Sequence, residues 1–298
     1  MTQTGVSEFD RAVDIARFDA RALQRSFPFF FTETRVPVLD LAIALGLRIR
    51  ERADLGQRAQ LELVKGAEGT EANIVLRSGL DQNVRRFAVA HEVGHYLLLK
   101  NREQFASVWG IESRERFANT FAGEVLISPA GWAQINSTFP SISDPLELLR
   151  LASAVGISPH ALLTQVTARR PLIAGLTKIW LRVKHAVNAV TGSEPRLRII
   201  SAHYDRERFF IPENQSVNSF AGADMWLFSL PIGVSFHQQS AVAVKLRRPP
   251  DSTPRFLSRS VQAEISAVRL PPNTYDNNSV FIVLADVGGS LWQATEQA

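Results

Sequence analysis

The stretch His91-Glu92-Val93-Gly94-His95 has the residue types and spacing to do chemistry. On a helix, positions i and i+4 differ by about 40° in direction, so both imidazoles project from one side, a turn apart. That arrangement suits two ligands of one Zn²⁺ ion. Glu92 lies about 100° round from His91, badly placed to be a third ligand from the same turn. It is better placed to hold a water molecule beside the metal and to take its proton. A metal lowers the pKa of such a water towards neutrality, and the glutamate then passes the proton to a leaving amine. The chemistry implied is hydrolysis of a peptide bond.

A catalytic zinc takes a third protein ligand and keeps one position open. The chain has no Cys and only six His, and no third His follows closely. The third ligand must therefore be a carboxylate on another helix. Glu115 leads a predicted helix whose inner stripe is Glu115, Ala118, Asn119, Ala122 and Leu126, with alanines that allow close approach to the first helix. Asn119, one turn on, can hydrogen-bond a ligand histidine. Glu112, three residues earlier, is the rival ligand. Glu124 falls on the opposite side and is expected to be solvated, and Arg85 and Arg86 are expected to be solvated or to cap carboxylates. His160, His185, His203 and His237 each stand alone, although His203-Tyr204 can place a donor over a scissile carbonyl oxygen.

These groups need elements to position them. Leu80 to Leu99 reads as a helix, capped by Asp81 or Asn83. Val84, Phe87, Ala88, His91, His95 and Leu98 fall on one buried face, and Asn101 serves as a left-handed stop. Gly94 inside this helix costs about 1 kcal/mol relative to Ala and so wants a reason. The partner helix runs from about Glu112 to Ile127, ending before Ser128-Pro129. Upstream, Ser7–Gln24 has helical spacing through Phe9, Val13, Ala16, Ala20 and Leu23. A short helix near Val36–Leu45 closes at Gly46, and Leu47–Glu51 alternates as a strand. Gln60–Val64 and Ala72–Leu76 flank a Gly-containing loop as a hairpin. Such a small sheet needs helices over it to bury a face.

Pro140–Asp144 reads as a polar linker. Two helices follow, Pro145–Val155 and Pro159–Ala168, around the turn Val155-Gly156-Ile157-Ser158. From Pro171 onward the predicted strands are Leu172–Val183, Arg196–Ala202, Arg208–Ile211, Met225–Leu230, Ala241–Leu246, Ala263–Val268 and Ser279–Leu284, a mainly β texture. The predicted organisation is α+β in three parts: residues 1–137 with the chemistry, a helical segment 138–170, and a β-rich domain 171–298.

The 298 residues are 45% hydrophobic and 21% charged, the balance of a folded chain. Without Cys there is no disulfide scaffold, thiol nucleophile or Cys-ligated zinc finger. The formal charge is +4, from 33 Lys+Arg against 29 Asp+Glu, and the basic residues are spread out. That is weak support for an acidic partner. The most apolar stretches, Phe27–Phe31 and Val36–Leu47, fall short of the roughly 20 residues a membrane helix needs. The N-terminus has no signal-peptide pattern, so a cytoplasmic protein with no membrane partner is expected.

Arg86-Phe87-Ala88-Val89-Ala90-His91-Glu92-Val93-Gly94-His95, then Glu115-Arg116-Phe117-Ala118-Asn119-Thr120-Phe121-Ala122, then Leu126-Ile127-Ser128-Pro129, resembles the ImmA/IrrE family of zinc metallopeptidases. In that family an Arg-Phe-x-x-Ala-His-Glu-x-x-His helix is followed by Glu-x-x-Ala-Asn-x-Phe-Ala and a hydrophobic pair before Pro. The motifs cover about residues 85–129. The resemblance implies a zincin-like domain holding one Zn²⁺ per chain through His91, His95 and Glu115, with Glu92 as the catalytic base; it thereby chooses Glu115 over Glu112. Leu151-Ala152, Val155-Gly156-Ile157-Ser158 and Leu162-Leu163 are similar to the helix-turn-helix-like segment of the radiation-response members. Leu197-Arg198-Ile199 and Phe210-Ile211-Pro212-Glu213-Asn214-Gln215-Ser216 are similar to a C-terminal pattern in some members, whose last domain is described as GAF-like.

Family members cleave a helix-turn-helix repressor and so release genes from repression, in mobile elements or in the DNA-damage response. The resemblance implies a repressor-like protein substrate here. The alternative is a DNA-binding regulator with a vestigial peptidase fold. Its helix pair offers only His160, Thr164 and Gln165, with Arg169 and Arg170 beyond them. That is a thin set for bases and phosphates, so direct DNA binding is expected to be weak or absent. The C-terminal domain can sense a small molecule or grip the substrate, and the sequence names no ligand.

Overall fold

The computed structural model describes residues 7–66, 69–169, 178–186, 196–203, 209–210, 235–247, 256–269 and 280–286. The chain divides into two compact units, Met1–Ser137 with Ala152–Ala161, and Thr138–Leu151 with Leu162–Ala298.

The first unit is helix-rich α+β around a small mixed sheet. Helix α1 (Glu8–Ser26) starts at Ser7, whose hydroxyl accepts from the Asp10 N–H, a side-chain cap of the usual kind. Its buried face is Ala12, Ala16, Asp19, Ala20 and Leu23. Phe9, expected to face inward, is 45% exposed. The stripe is set by small residues because α1 packs closely on α5 (Ile111–Leu126). Buried Asp19 is paired with Arg102 at 2.9 Å, which offsets the cost of burying its charge.

Helix α2 (Val38–Ala44) ends at Gly46, whose φ of +85° favours glycine. Strand β1 (Arg48–Arg52) runs parallel to β3 (Gly69–Arg77), which pairs antiparallel with β2 (Ala59–Gly66). The order β1-β3-β2 leaves β2 at an edge. The two edges differ. Strand β1 exposes Arg48, Arg50, Glu51 and Arg52, whereas β2 exposes Leu63 and Val64. Charges on an edge strand discourage pairing with another chain, and apolar residues do not.

Helix α3 (Gln82–Asn101) covers the sheet and is capped by Asp81, which accepts from the N–H groups of Asn83 and Val84. It continues through Asn101 and ends at Arg102 with φ −138°. The left-handed stop expected at Asn101 is therefore absent; Arg102 alone links the helix to α4 (Glu103–Val108). The predicted face of α3 is also shifted. The buried residues include Val89, Ala90, Glu92, Val93, Gly94 and Leu97, while Val84, Phe87, His91 and His95 are half-buried at its margin. Helix α5 and the sheet bury the helix across a wider arc than one stripe, leaving the histidines at the rim.

Helix α5 carries fully buried Phe117 and Phe121, whose rings stack with centroids 6.2 Å apart. Each buried Phe contributes about 1.5–3 kcal/mol of transfer free energy. Helices α3 and α5 meet at Gly94. A Cβ built there lies 3.1 Å from Ala118 Cα and 3.2 Å from Phe121 Cδ1. That close approach is the reason a glycine sits mid-helix.

Helices α6 (Pro129–Thr138), α7 (Pro145–Val155) and α8 (Pro159–Ala168) follow. The last two are bent by 89° about a turn containing Gly156, φ +72°. No single helix among the described residues is long and apolar enough to cross a membrane.

In the second unit the described strands form one sheet in the order β5-β4-β9-β8-β7-β6, each neighbouring pair antiparallel. They are β4 (Lys178–Ala186), β5 (Arg196–His203), β6 (Phe209–Phe210), β7 (Ser235–Arg247), β8 (Phe256–Arg269) and β9 (Val280–Asp286). The strand expected at Met225–Leu230 lies outside the described residues. The polar linker expected at 140–144 is instead anchored. Ile142 is buried, and the carbonyls of Pro140 and Ile142 both accept from Lys178 Nζ. Phe139 lies against Trp180, ring centroids 6.2 Å apart.

Candidate metal centre

Helices α3 and α5 bring together His91, His95 and Glu115, with one ligand atom from each within 4.8 Å of the others. His91 Nε2 is 3.0 Å from His95 Nε2 and 3.3 Å from Glu115 Oε2; His95 Nε2 is 3.2 Å from Glu115 Oε1. Metal–ligand bonds of about 2.0–2.1 Å in a tetrahedron require ligand atoms about 3.3 Å apart. The two imidazole nitrogens, and the carboxylate oxygen nearest each of them, are spaced close to that requirement, so the donor set fits a divalent cation. Glu112 is exposed and lies outside this group.

Asn119 determines which nitrogen of His91 is free. Its Oδ1 lies 3.1 Å from His91 Nδ1. A carbonyl oxygen only accepts, so Nδ1–H donates and the Nε2 lone pair faces the other two ligand atoms. Burial holds the His91 pKa below its ordinary value, against the opposing pull of Glu115 and Asn119. Burial and the neighbouring His91 push His95 down to about 4. Both imidazoles are thus neutral at pH 7, the form that binds a metal.

Glu92 is buried from the other side of the helix turn, and its carboxylate accepts from the Leu61 backbone N–H on β2. Burial, and then the charge of Glu115, raise its pKa to about 7. A carboxylate tuned to neutrality can both take and return a proton at pH 7.

All four residues line an open cleft of about 330 Å³. Its other walls are Gln57, Ala59, Gln60 and Leu61 from β2 and the loop before it, Leu98 and Leu99 from α3, and Arg114 from α5. None of these was identifiable in advance. Alternation marks β2 as a strand, but only the sheet order makes it the edge that borders the histidines.

Two charged residues are placed otherwise than expected. Glu124 is buried, 3.5 Å from Arg17 on α1, because α5 is covered on a second side by α1. Arg86 is buried as well; its Nε donates to the Gly156 carbonyl at 3.0 Å. Burial, and then nearby Arg35, lower its pKa to about 10. An added Cβ at Gly156 would sit 2.8 Å from Arg35 Cγ, so this glycine serves close approach as well as its turn. Arg85 does pair with a carboxylate, Glu51, at 2.7 Å.

Of the polar residues on the helix pair, His160, Gln165 and Arg169 are half-buried and Thr164 is exposed. His160, Thr164 and Arg169 are already engaged with other residues. Arg170 and Tyr204 lie outside the described residues. His203 is buried in the second unit, its Nδ1 3.1 Å from Thr167 Oγ1.

Residues 45–167 match the family model described as Peptidase_M78, IrrE N-terminal-like domain. No curated protein matches the chain. Among solved structures, a Mycobacterium tuberculosis transcriptional regulator is similar at 14% identity and a TM-score of 0.45, over 94% of this chain and 82% of that one.

Proposed function

We propose, from the match of residues 45–167 to the IrrE N-terminal-like domain model, that the chain is a zinc-dependent endopeptidase that cleaves a helix-turn-helix repressor and so derepresses genes. The observation that carries this reading is the His91–His95–Glu115 group beside a buried carboxylate of raised pKa, in one open cleft.

In this reading His91, His95 and Glu115 hold the ion, and Asn119 keeps His91 in the ligating tautomer. Zn²⁺ supplies Lewis acidity to the scissile carbonyl and to the attacking water. Glu92 takes the proton of that water, and the low polarity around its carboxyl lets it carry the proton. It then delivers the proton to the departing amine nitrogen as the C–N bond breaks. The Leu61 N–H keeps the carboxylate oriented between these transfers. Strand β2, an edge among the described strands, offers free backbone groups along the cleft for an extended substrate segment.

The role belongs to gene regulation, in a stress response or a mobile element, and the setting proposed is the cytoplasm. The proposed domains are a peptidase domain 1–137, a helix-turn-helix-like segment 138–170 and a C-terminal domain 171–298, GAF-like by the family resemblance, that senses a ligand or grips the substrate. The decisive test is incubation of the zinc-loaded protein with a helix-turn-helix repressor found encoded next to its gene. Two discrete fragments are expected, and none after chelation. A repressor left intact by protein carrying one zinc per chain would overturn the assignment.

Proton release gives an independent check. In the metal-free protein Glu92, with its pKa at about 7, is mostly protonated at pH 6 and mostly ionised at pH 8. Burial holds both histidines below their ordinary value, so they carry fewer protons in that window than free imidazoles would. A cation bound beside Glu92 lowers its pKa and expels its proton. Calorimetric titration in buffers of different ionisation enthalpy should therefore find more protons released per zinc at pH 6 than at pH 8. Equal release would mean that Glu92 does not feel the metal.

A further inference from the structure

Arg114 is the one residue lining the cleft, among those described, that carries a fixed positive charge. It is half-buried, and its guanidinium has no hydrogen bond or ion pair with any described residue. A confined cation without a carboxylate partner is unusual, since arginine in a cleft wall normally finds one. Two carboxylates, Glu92 and Glu115, line the same cleft, yet neither pairs with it.

We propose that Arg114 reads an acidic side chain of the substrate next to the bond that is cut, so that this site selects segments pairing an apolar residue with an acidic one. The inference rests on the peptidase reading and names its substrate class. Three further observations support it.

The first is charge. With a divalent cation on the His91–His95–Glu115 group, the two carboxylates of the cleft are balanced, and Arg114 leaves it net positive. A substrate carboxylate is then attracted and a substrate lysine repelled. The second is position. Arg114 directly precedes Glu115 on α5 and lines the same cleft as His91, His95 and Glu92. A cation on that wall lies beside the reacting centre, where a substrate side chain next to the cut bond would run. The third is the apolar wall. Leu61, Leu98 and Leu99 line the same cleft, and Leu99 is 40% exposed. They give the cleft that Arg114 lines an apolar wall, Leu61 on the edge strand β2 and Leu98 and Leu99 on α3.

The test uses the full, zinc-loaded chain and capped tripeptide hydroxamates, which anchor to a zinc ion and are not cleaved. Each contains leucine, followed or preceded by Asp, Ala or Lys. In the wild type the better Asp isomer should bind at least tenfold more tightly than its Lys counterpart, about 1.4 kcal/mol. The gap should narrow as salt is raised. Arg114→Gln should flatten the series and Arg114→Glu should reverse it, with zinc content and melting temperature unchanged in both. If the Ala hydroxamate binds but the charge order is missing, or is the same in Arg114→Glu, the assignment of Arg114 is overturned while the peptidase reading stands. If no hydroxamate binds a chain that carries zinc, the peptidase reading falls and this inference with it.

Discussion

Glu92→Gln is expected to retain about one zinc per chain and to lose cleavage of the repressor by at least a hundredfold. General acid–base catalysis by one positioned group contributes about 10²–10⁴ in rate, and the amide cannot carry the proton. The substitution is otherwise mild. Gln is nearly isosteric with Glu, its carbonyl can still accept from the Leu61 N–H, and the uncharged amide removes a carboxylate that is costly to bury. The variant should therefore be at least as stable as the wild type at pH 8, where Glu92 is ionised. The sign follows from its raised pKa. A carboxyl held at about 7 when folded, against an ordinary value near 4.5, makes folding less favourable as pH rises between those two values. The experiment reads zinc by atomic absorption, cleavage on gels and unfolding by denaturant. Full activity in a zinc-loaded Glu92→Gln protein would remove Glu92 from the chemistry.

Gly94→Val is expected to damage both stability and metal binding, although residue 94 has no ligand atom. The added side chain begins 3.1 Å from the Ala118 backbone and 3.2 Å from the Phe121 ring, so α3 and α5 must separate. Overpacking of this kind costs about 1–3 kcal/mol. The separation also moves Glu115, which lies on α5, away from the two histidines on α3. Zinc affinity should fall by about tenfold or more, as it does when groups supporting a metal ligand are displaced. Gly94→Ala is the informative companion. It gains about 1 kcal/mol of helix propensity and meets the same contacts with a single methyl, so its stability should stay near that of the wild type. A Val variant that unfolds and binds zinc like the wild type would show that the approach of these helices does not position the site.

The pair His91 and His95 with Glu92 between them was legible because helical spacing is a local property. Any helix places i and i+4 on one side, and the pattern Asp81 to Leu99 has its own cap. The hairpin at β2 and β3 and the glycine turns at 46 and 156 were legible for the same reason. Asn119 was also within reach, since one helical turn links it to Glu115. The choice between Glu115 and Glu112 was not. Both lie on the same helix, spacing alone kept both, and only the family motif chose between them before the packing of α3 on α5 brought Glu115 to the histidines.

The misplacements share one cause. Glu124, Arg86 and Phe9 were assigned from the chemistry of their own side chains and one assumed helix face. Glu124 and Arg86 are buried because their helices are covered on more than one side; Phe9 is exposed because small residues make the tighter α1–α5 seam. The cleft walls from β2, and the place of Arg114 on the cleft wall, belong to the same category. They depend on which strand ends at the sheet edge and which helix turn faces it.

Within residues 45–167 the sequence alone determined the candidate ligand types, their spacing and the helices that carry them, because these follow from backbone geometry over a few residues. The tertiary structure decided which carboxylate meets the histidines, why residue 94 is glycine, and what lines the cleft beside them. Those are contacts between residues far apart in the chain, and their distances are set by how closely whole helices and strands can pack.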